Sequence, residues 1–302
     1  MQKLLRDNVI YNFENGMKGA YKVKDGETFT VETCDCFHQQ ISSEDQVLLE
    51  IDMDIVNPAT GPIYVEGAEV GDILKVEILD IKIDDRGVAA AIPGSGGLPE
   101  ESKEAIVRVI EVKEGFANYL GKKIPIEPMI GVIGVAPGEG EGTWGTHTPW
   151  KHGGNMDTKT ITKGRTLYFD VGQEGAMLAL GDLHAVMGDG ELCFTGLEIP
   201  GEVDLKVSLI KGKKKLNWPV LESKDNIAII ASGENLEEAM QNAASTAVKY
   251  ISEVLNSTWA EAYVMASQVL DLRISQVVNP MKTVRAEIPN YILTMEEILN
   301  RN

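Results

Sequence analysis

Across the first three quarters of the chain, apolar side chains alternate with polar ones over short runs, and glycine, proline and aspartate punctuate them. Helical spacing is sparse there. A period of two broken by turn formers is the signature of short strands, so residues 1–225 read as a β-rich sandwich or barrel body. The clearest run is DILKVEILDIKI (72–83), with Ile73, Val76, Ile78, Ile81 and Ile83 set among Lys, Glu and Asp. Its alternation slips near Leu79 to Ile81, where a bulge is expected. KLNWPV and AMLALGDLHAVM read as further strands, the second apolar enough to be buried on both faces.

The texture changes after Asn226. NIAIIAS (226–232) is a strand candidate, and LEEAMQNAASTAVKYISEVLN then repeats Leu236, Met240, Ala243, Ala247, Ile251 and Leu255 at helical spacing. A second helix is expected over TWAEAYVMASQVLDL (258–272), opened by a capping box of Ser257 or Thr258 with Glu261. RISQVV and the strand-like TVRAEIP (283–289) follow. The reading is an α+β chain: a β-rich body over 1–225 that carries the candidate site, then a C-terminal β-α-α-β unit over 226–302.

The formal charge of −18 and the pI of about 4.7 oppose binding to nucleic acid or to an anionic membrane surface. A small neutral substrate is not repelled. The opening MQKLLRDNVI has no apolar signal core, and no apolar run reaches the roughly 18 residues of a membrane span, so a cytoplasmic protein is expected. Three cysteines, two of them in Cys34-Asp35-Cys36, make no disulfide framework and fit a reducing compartment. Cys34 and Cys36 could be thiolate ligands, but without a Cys-x-x-Cys partner they read as small hydrophobes, as does Cys193 within the strand-like run ELCFTGLEI, where Glu198 would need a partner if charged.

Chemistry concentrates in GDLHAVMGDGE (181–191). On a strand, Asp182 and His184 share one face, with Asp189 and Glu191 just beyond. Oxygen and imidazole donors suit zinc, iron or manganese, and a catalytic centre needs three protein ligands with one position left open. The plain alternative is a Gly188-Asp189-Gly190 turn with solvated acids. HGGNMD (152–157) offers Asn155 and Asp157 beside paired glycines that permit close backbone approach to a ligand. In TCDCFHQQI (33–41), Asp35 could complete a metal site and His38 could contact substrate. The loops 92–102 and 135–157 are long enough to be functional, yet neither carries a P-loop pattern. Ser95 in Gly94-Ser95-Gly96-Gly97 is the rival nucleophile, without a G-x-S-x-G elbow.

Taken together, NPATGPIYVEGAEVGDILKVEILDI (57–81), MIGVIGVAP (129–137), HGGNMD (152–157), GAMLALGDLHAVMGDGE (175–191) and DLRISQVVNPMKTVRAEIP (271–289) resemble the acetamidase/formamidase family from end to end. The resemblance implies a metal-associated hydrolase of short-chain amides such as formamide and acetamide, releasing carboxylate and ammonia, commonly oligomeric, with a homodimer expected. It implies a divalent ion, zinc first and calcium as an additional one. Its acidic and histidine positions fall on Asp35, Asp157, Asp182, His184 and Glu191, with Asn155 in the matching loop. The expected roles are metal ligation by Asp35, Asp157, Asp182 and His184, acid–base work by Glu191 with Asp189, and substrate contact by Asn155, Gly153, Gly154 and His38. A cupin-like metal oxygenase and a non-catalytic small-molecule binding protein are the competing classes; the chain lacks a clear His-x-His pair, which counts against the first.

Overall fold

The structure is a computed structural model and describes residues 1–46 and 50–301. Strands dominate the first 225 residues, and the long helices follow them. The largest sheet has nine strands in the order Gln2–Leu4, Thr28–Thr33, Gly201–Ile210, Ile73–Ile83, Thr166–Asp170, Val220–Glu222, Asn226–Gly233, Lys282–Pro289 and Asp271–Gln276. A second sheet orders Gly153–Asn155, Met129–Gly134, Leu178–His184, Ala59–Val65 and Val9–Ile10, with Tyr21–Val23 also pairing to Ala59–Val65. A smaller sheet joins Lys122–Pro125, Phe116–Tyr119, Ile106–Lys113 and Arg86–Ala91.

Side-chain alternation explains why these layers stack. Along Ile73–Ile83, Leu74, Val76 and Ile78 join a core shared with Ile130, Ile133, Leu178 and Leu180 of the second sheet. Each such side chain contributes about 1.5–3 kcal/mol on burial. The expected bulge is present: opposite Gly201–Ile210 the register slips between Asp204 and Leu205, which leaves Leu79 unpaired and exposed.

The same alternation lets one sheet serve two cores. In Asn226–Gly233, Ala228 and Ile230 belong to the core of the body, whereas Ile227, Ile229 and Ala231 pack with helix α1 (Leu236–Leu255). Val220–Glu222 pairs with Asn226–Gly233, so hydrogen bonding runs unbroken across residue 225. Asn235 caps α1, whose small residues Ala239, Ala243 and Ala247 are buried. Helix α2 (Trp259–Val269) opens with the expected Thr258 and Glu261 capping box. It ends three residues earlier than its apolar pattern suggests. From Asp271 the backbone pairs with Lys282–Pro289 instead, which satisfies polar groups that a longer helix would leave facing the sheet. Helix α3 (Met295–Leu299) follows.

Two further expectations are corrected. KLNWPV contributes only its last residue to a strand, which starts at Val220. ELCFTGLEI makes only isolated bridges, at Phe194 and Glu198, and Cys193 is exposed rather than part of the core. None of the described helices is long and apolar enough to cross a membrane.

Candidate functional site

The strand Leu178–His184 is buried along its whole length and ends on the two residues that bear chemistry, Asp182 and His184. His184 Nε2 lies 3.6 Å from Asp182 Oδ1, 3.7 Å from Asp157 Oδ1, 3.9 Å from Glu191 Oε1 and 3.2 Å from Glu198 Oε2. All five side chains are buried. Together with Cys36, which is also buried, they form two adjoining triads with donor atoms close enough to hold an ion: Asp157, His184 and Glu191, and Cys36, Asp182 and Glu198.

Local backbone makes this convergence possible. Asp157, Asp182 and Glu191 all have left-handed conformations, with φ of 37°, 56° and 45°. Such residues cost of order 1–3 kcal/mol each and persist where the surroundings over-determine them. Space is cleared by two glycines. A Cβ on Gly131 would lie 2.5 Å from Asp157 Oδ1 and 2.7 Å from Asp182 Oδ2, and one on Gly196 would lie 2.5 Å from His184 Nδ1.

The electrostatics are unbalanced. Burial first, then the charge of Asp182, pushes Asp157 up to about 6. Glu198 rises to about 8, driven by burial, with His184 pulling it down and Asp182 pushing it up. Burial and the charge of Asp157 also raise Glu191 well above its ordinary value. For His184, burial opposes charging, yet the negative charges of Glu198 and Asp182 outweigh it. Among the described residues, Asp157 Oδ1, Asp182 Oδ1, both nitrogens of His184, Glu191 Oε2 and Glu198 Oε2 have no hydrogen-bond partner. Buried carboxylates so arranged call for a cation or protons. Carboxylate and imidazole donors fit a divalent ion of the zinc type.

The C-terminal unit braces the site. Asn279 Nδ2 donates to Asp157 Oδ2 at 2.6 Å and to the Asn155 carbonyl at 3.0 Å, while Asn155 Nδ2 donates to Asn279 Oδ1 at 3.3 Å. The loop carrying Glu191 is tied to the same unit, with Gly190 N–H donating to the Ser275 carbonyl and Val277 N–H to the Gly190 carbonyl. Gly196 N–H donates to Glu191 Oε1 at 3.1 Å and leaves Oε2 free to act.

Asp157, Asp182, His184 and Glu191 therefore converge, with Asn155 beside them. The remaining candidates make other contacts. Asp189 parts from Glu191 and forms a two-point ion pair with Arg285, at 2.8 and 2.9 Å. Burial tends to raise its carboxyl, but the hydrogen bond and charge of Arg285 hold it below the ordinary value. Asp35 Oδ1 accepts the Gln39 N–H at 2.7 Å, closing a turn. His38 Nδ1 bonds the Tyr11 hydroxyl at 3.0 Å. Gly153 donates its N–H to the Trp150 carbonyl, so it has none to offer a substrate oxygen. Ser95 N–H closes a turn onto Ile92. Neither Asp35 nor His38 supplies a donor to the two triads. The residues missed from the sequence are Gly131, Gly196, Asn279 and Arg285; Cys36, read as a small hydrophobe before a thiolate, joins the donors, and Glu198, an acid in an apolar run, carried a local signal.

Known proteins share this arrangement of the chain. A formamidase from Methylophilus methylotrophus is 32% identical over 257 residues, spanning 64% of this chain and 62% of its own length. The chain thus spans less than two thirds of that relative. Two solved structures superpose over 97% of it: a protein described as a predicted acetamidase/formamidase from Thermoanaerobacter tengcongensis, and an acetamidase from Bacillus halodurans. The first has a TM-score of 0.93, 43% identity and 96% of its own chain covered. The second has a TM-score of 0.92, 40% identity and full coverage, 100%, of its own chain. The profile of the acetamidase/formamidase family matches residues 6–142 and 139–296, so nearly the whole chain is accounted for, and it belongs to that family.

Proposed function

We propose that the chain hydrolyses short-chain aliphatic amides to carboxylate and ammonia with the help of a divalent ion, zinc before others. The observation that carries this reading is the buried group of four carboxylates around His184 with unpartnered atoms. Asp157, Asp182 and His184 would hold the ion. When bound, it supplies Lewis acidity, easing loss of a proton from water and polarising the amide carbonyl.

The protein's own groups do the rest. Gly196 fixes one oxygen of Glu191, so the other can take the proton of the attacking water and return it to the departing nitrogen. A carboxyl raised by burial and neighbouring charge suits that shuttle, because proton transfer is most effective when the pKa is near the working pH. In balance, a C–O bond forms, the C–N bond breaks, and the amide nitrogen leaves as ammonia. Asn155 Oδ1, buried and unpartnered among the described residues, is the acceptor offered to the substrate's NH2 group. Asp189, held by Arg285, orients the loop rather than exchanging protons.

Ammonia release from a panel of amides, on metal-analysed protein before and after chelation, tests the reading. Turnover lost on chelation and restored by zinc is expected. Undiminished turnover by metal-free protein overturns it.

A further inference from the structure

Beside Glu191 the molecule opens into a cavity of about 330 Å³. Its lining takes Ile110, Ala117, Tyr119 and Ile124 from the small sheet of residues 86–125, together with Val186, Leu197, Glu191 and Gly196. The cavity reaches the proton-carrying side chain and is otherwise largely apolar. No lysine or arginine is among its described lining residues, and its acids are Glu191 and Asp189.

Size and lining argue against the smallest amides as the best substrates. Pockets that enclose drug-sized ligands run from roughly 300 to 1,000 Å³, whereas acetamide has only a handful of heavy atoms. A one- or two-carbon acyl group would leave most of the apolar wall wet. A longer one would bury against Ile110, Ile124 and Leu197, and each buried methylene strengthens binding roughly fourfold. A carboxylate on the acyl tail would lose its hydration against a wall that offers it no lysine or arginine, so monoamides of dicarboxylic acids are disfavoured.

We propose that the preferred substrate is an amide with a neutral, apolar acyl group of about four to seven carbons, seated against the small sheet. Ile110, Ala117, Tyr119 and Ile124 are its specificity-determining residues. The assignment rests on the reading of Glu191 as proton carrier in amide hydrolysis.

The test compares kcat/KM for ammonia release from formamide, acetamide, butyramide, hexanamide, benzamide and succinamic acid on the metal-loaded protein. Efficiency should climb roughly fourfold per methylene from acetamide to hexanamide, with succinamic acid poorest among the longer amides. Ala117→Phe, which fills the cavity, should cut the hexanamide-to-acetamide ratio at least about thirtyfold. Ile124→Ala, on a different strand, should move the optimum to a longer or bulkier amide. An optimum at formamide or acetamide, with a ratio indifferent to both substitutions, overturns the proposal and leaves amide hydrolysis standing. If no amide is hydrolysed, calorimetric titration with acetamide and hexanamide decides: tighter hexanamide binding that Ala117→Phe removes supports the cavity assignment, and equal or absent binding overturns it.

Discussion

His152 and His184 are both buried, and both have ring nitrogens without hydrogen-bond partners among the described residues, yet their surroundings could hardly differ more. His152 sits with Phe13 at 4.9 Å and Trp144 at 6.1 Å between ring centroids. Burial alone acts on it and drives its pKa down to about 3. His184 feels the same burial, but four carboxylates lie within 4.0 Å of its Nε2 and reverse the outcome. Burial therefore does not mark a functional histidine. The uncompensated negative charge around it does, because only that environment gains from a cation.

The largest expected difference between the two is in metal retention. His184→Ala should lose the proposed ion and at least about a thousandfold of amide turnover, while His152→Phe should retain both; metal analysis with ammonia release reads them. Equal loss in the two variants would break the comparison. Next in size is an acid effect that His152 carries. Its folded pKa lies below its unfolded value near 6.5, so its contribution to stability is present above 6.5 and lost as pH falls toward 3. At pH 4 the loss is about 3 kcal/mol. Between pH 7 and pH 4, stability read from urea unfolding should change by that much more unfavourably in the unsubstituted protein than in His152→Phe. The smallest effect is Asn279→Ala, which removes the hydrogen bond to Asp157 Oδ2 and should weaken metal binding about 10- to 100-fold. Chelator competition measures it, and an unchanged affinity would show that Asp157 needs no brace.

Much of the fold was legible because its causes are local. The period-two runs, the slip at Leu79, the helical spacing of α1 and the Thr258 cap each depend on neighbours a few residues away. The convergence of Asp157, Asp182, His184 and Glu191 was foreshadowed by the clustering of these residue types and by the family resemblance. What stayed hidden depends on distant pairing. Asn279 and Asp157 are 122 positions apart, and Arg285 and Asp189 are 96 apart. Cys36 read as a small hydrophobe because its nearness to Asp182 and Glu198 arises only when the strands assemble. Gly131 and Gly196 act through a missing side chain, and no residue type announces which carboxylate needs that room.

The ties from the last strands to the Glu191 loop set a timetable for synthesis. Asp189 leaves the ribosome 96 residues before Arg285, a delay of roughly 5 to 20 s at ordinary elongation rates. Through that interval the nascent body presents its acids without the clamp that fixes the loop, and without the Asn279 that steadies Asp157. The proposed ion capture would accordingly be a late event, following emergence of these strands rather than completion of the body.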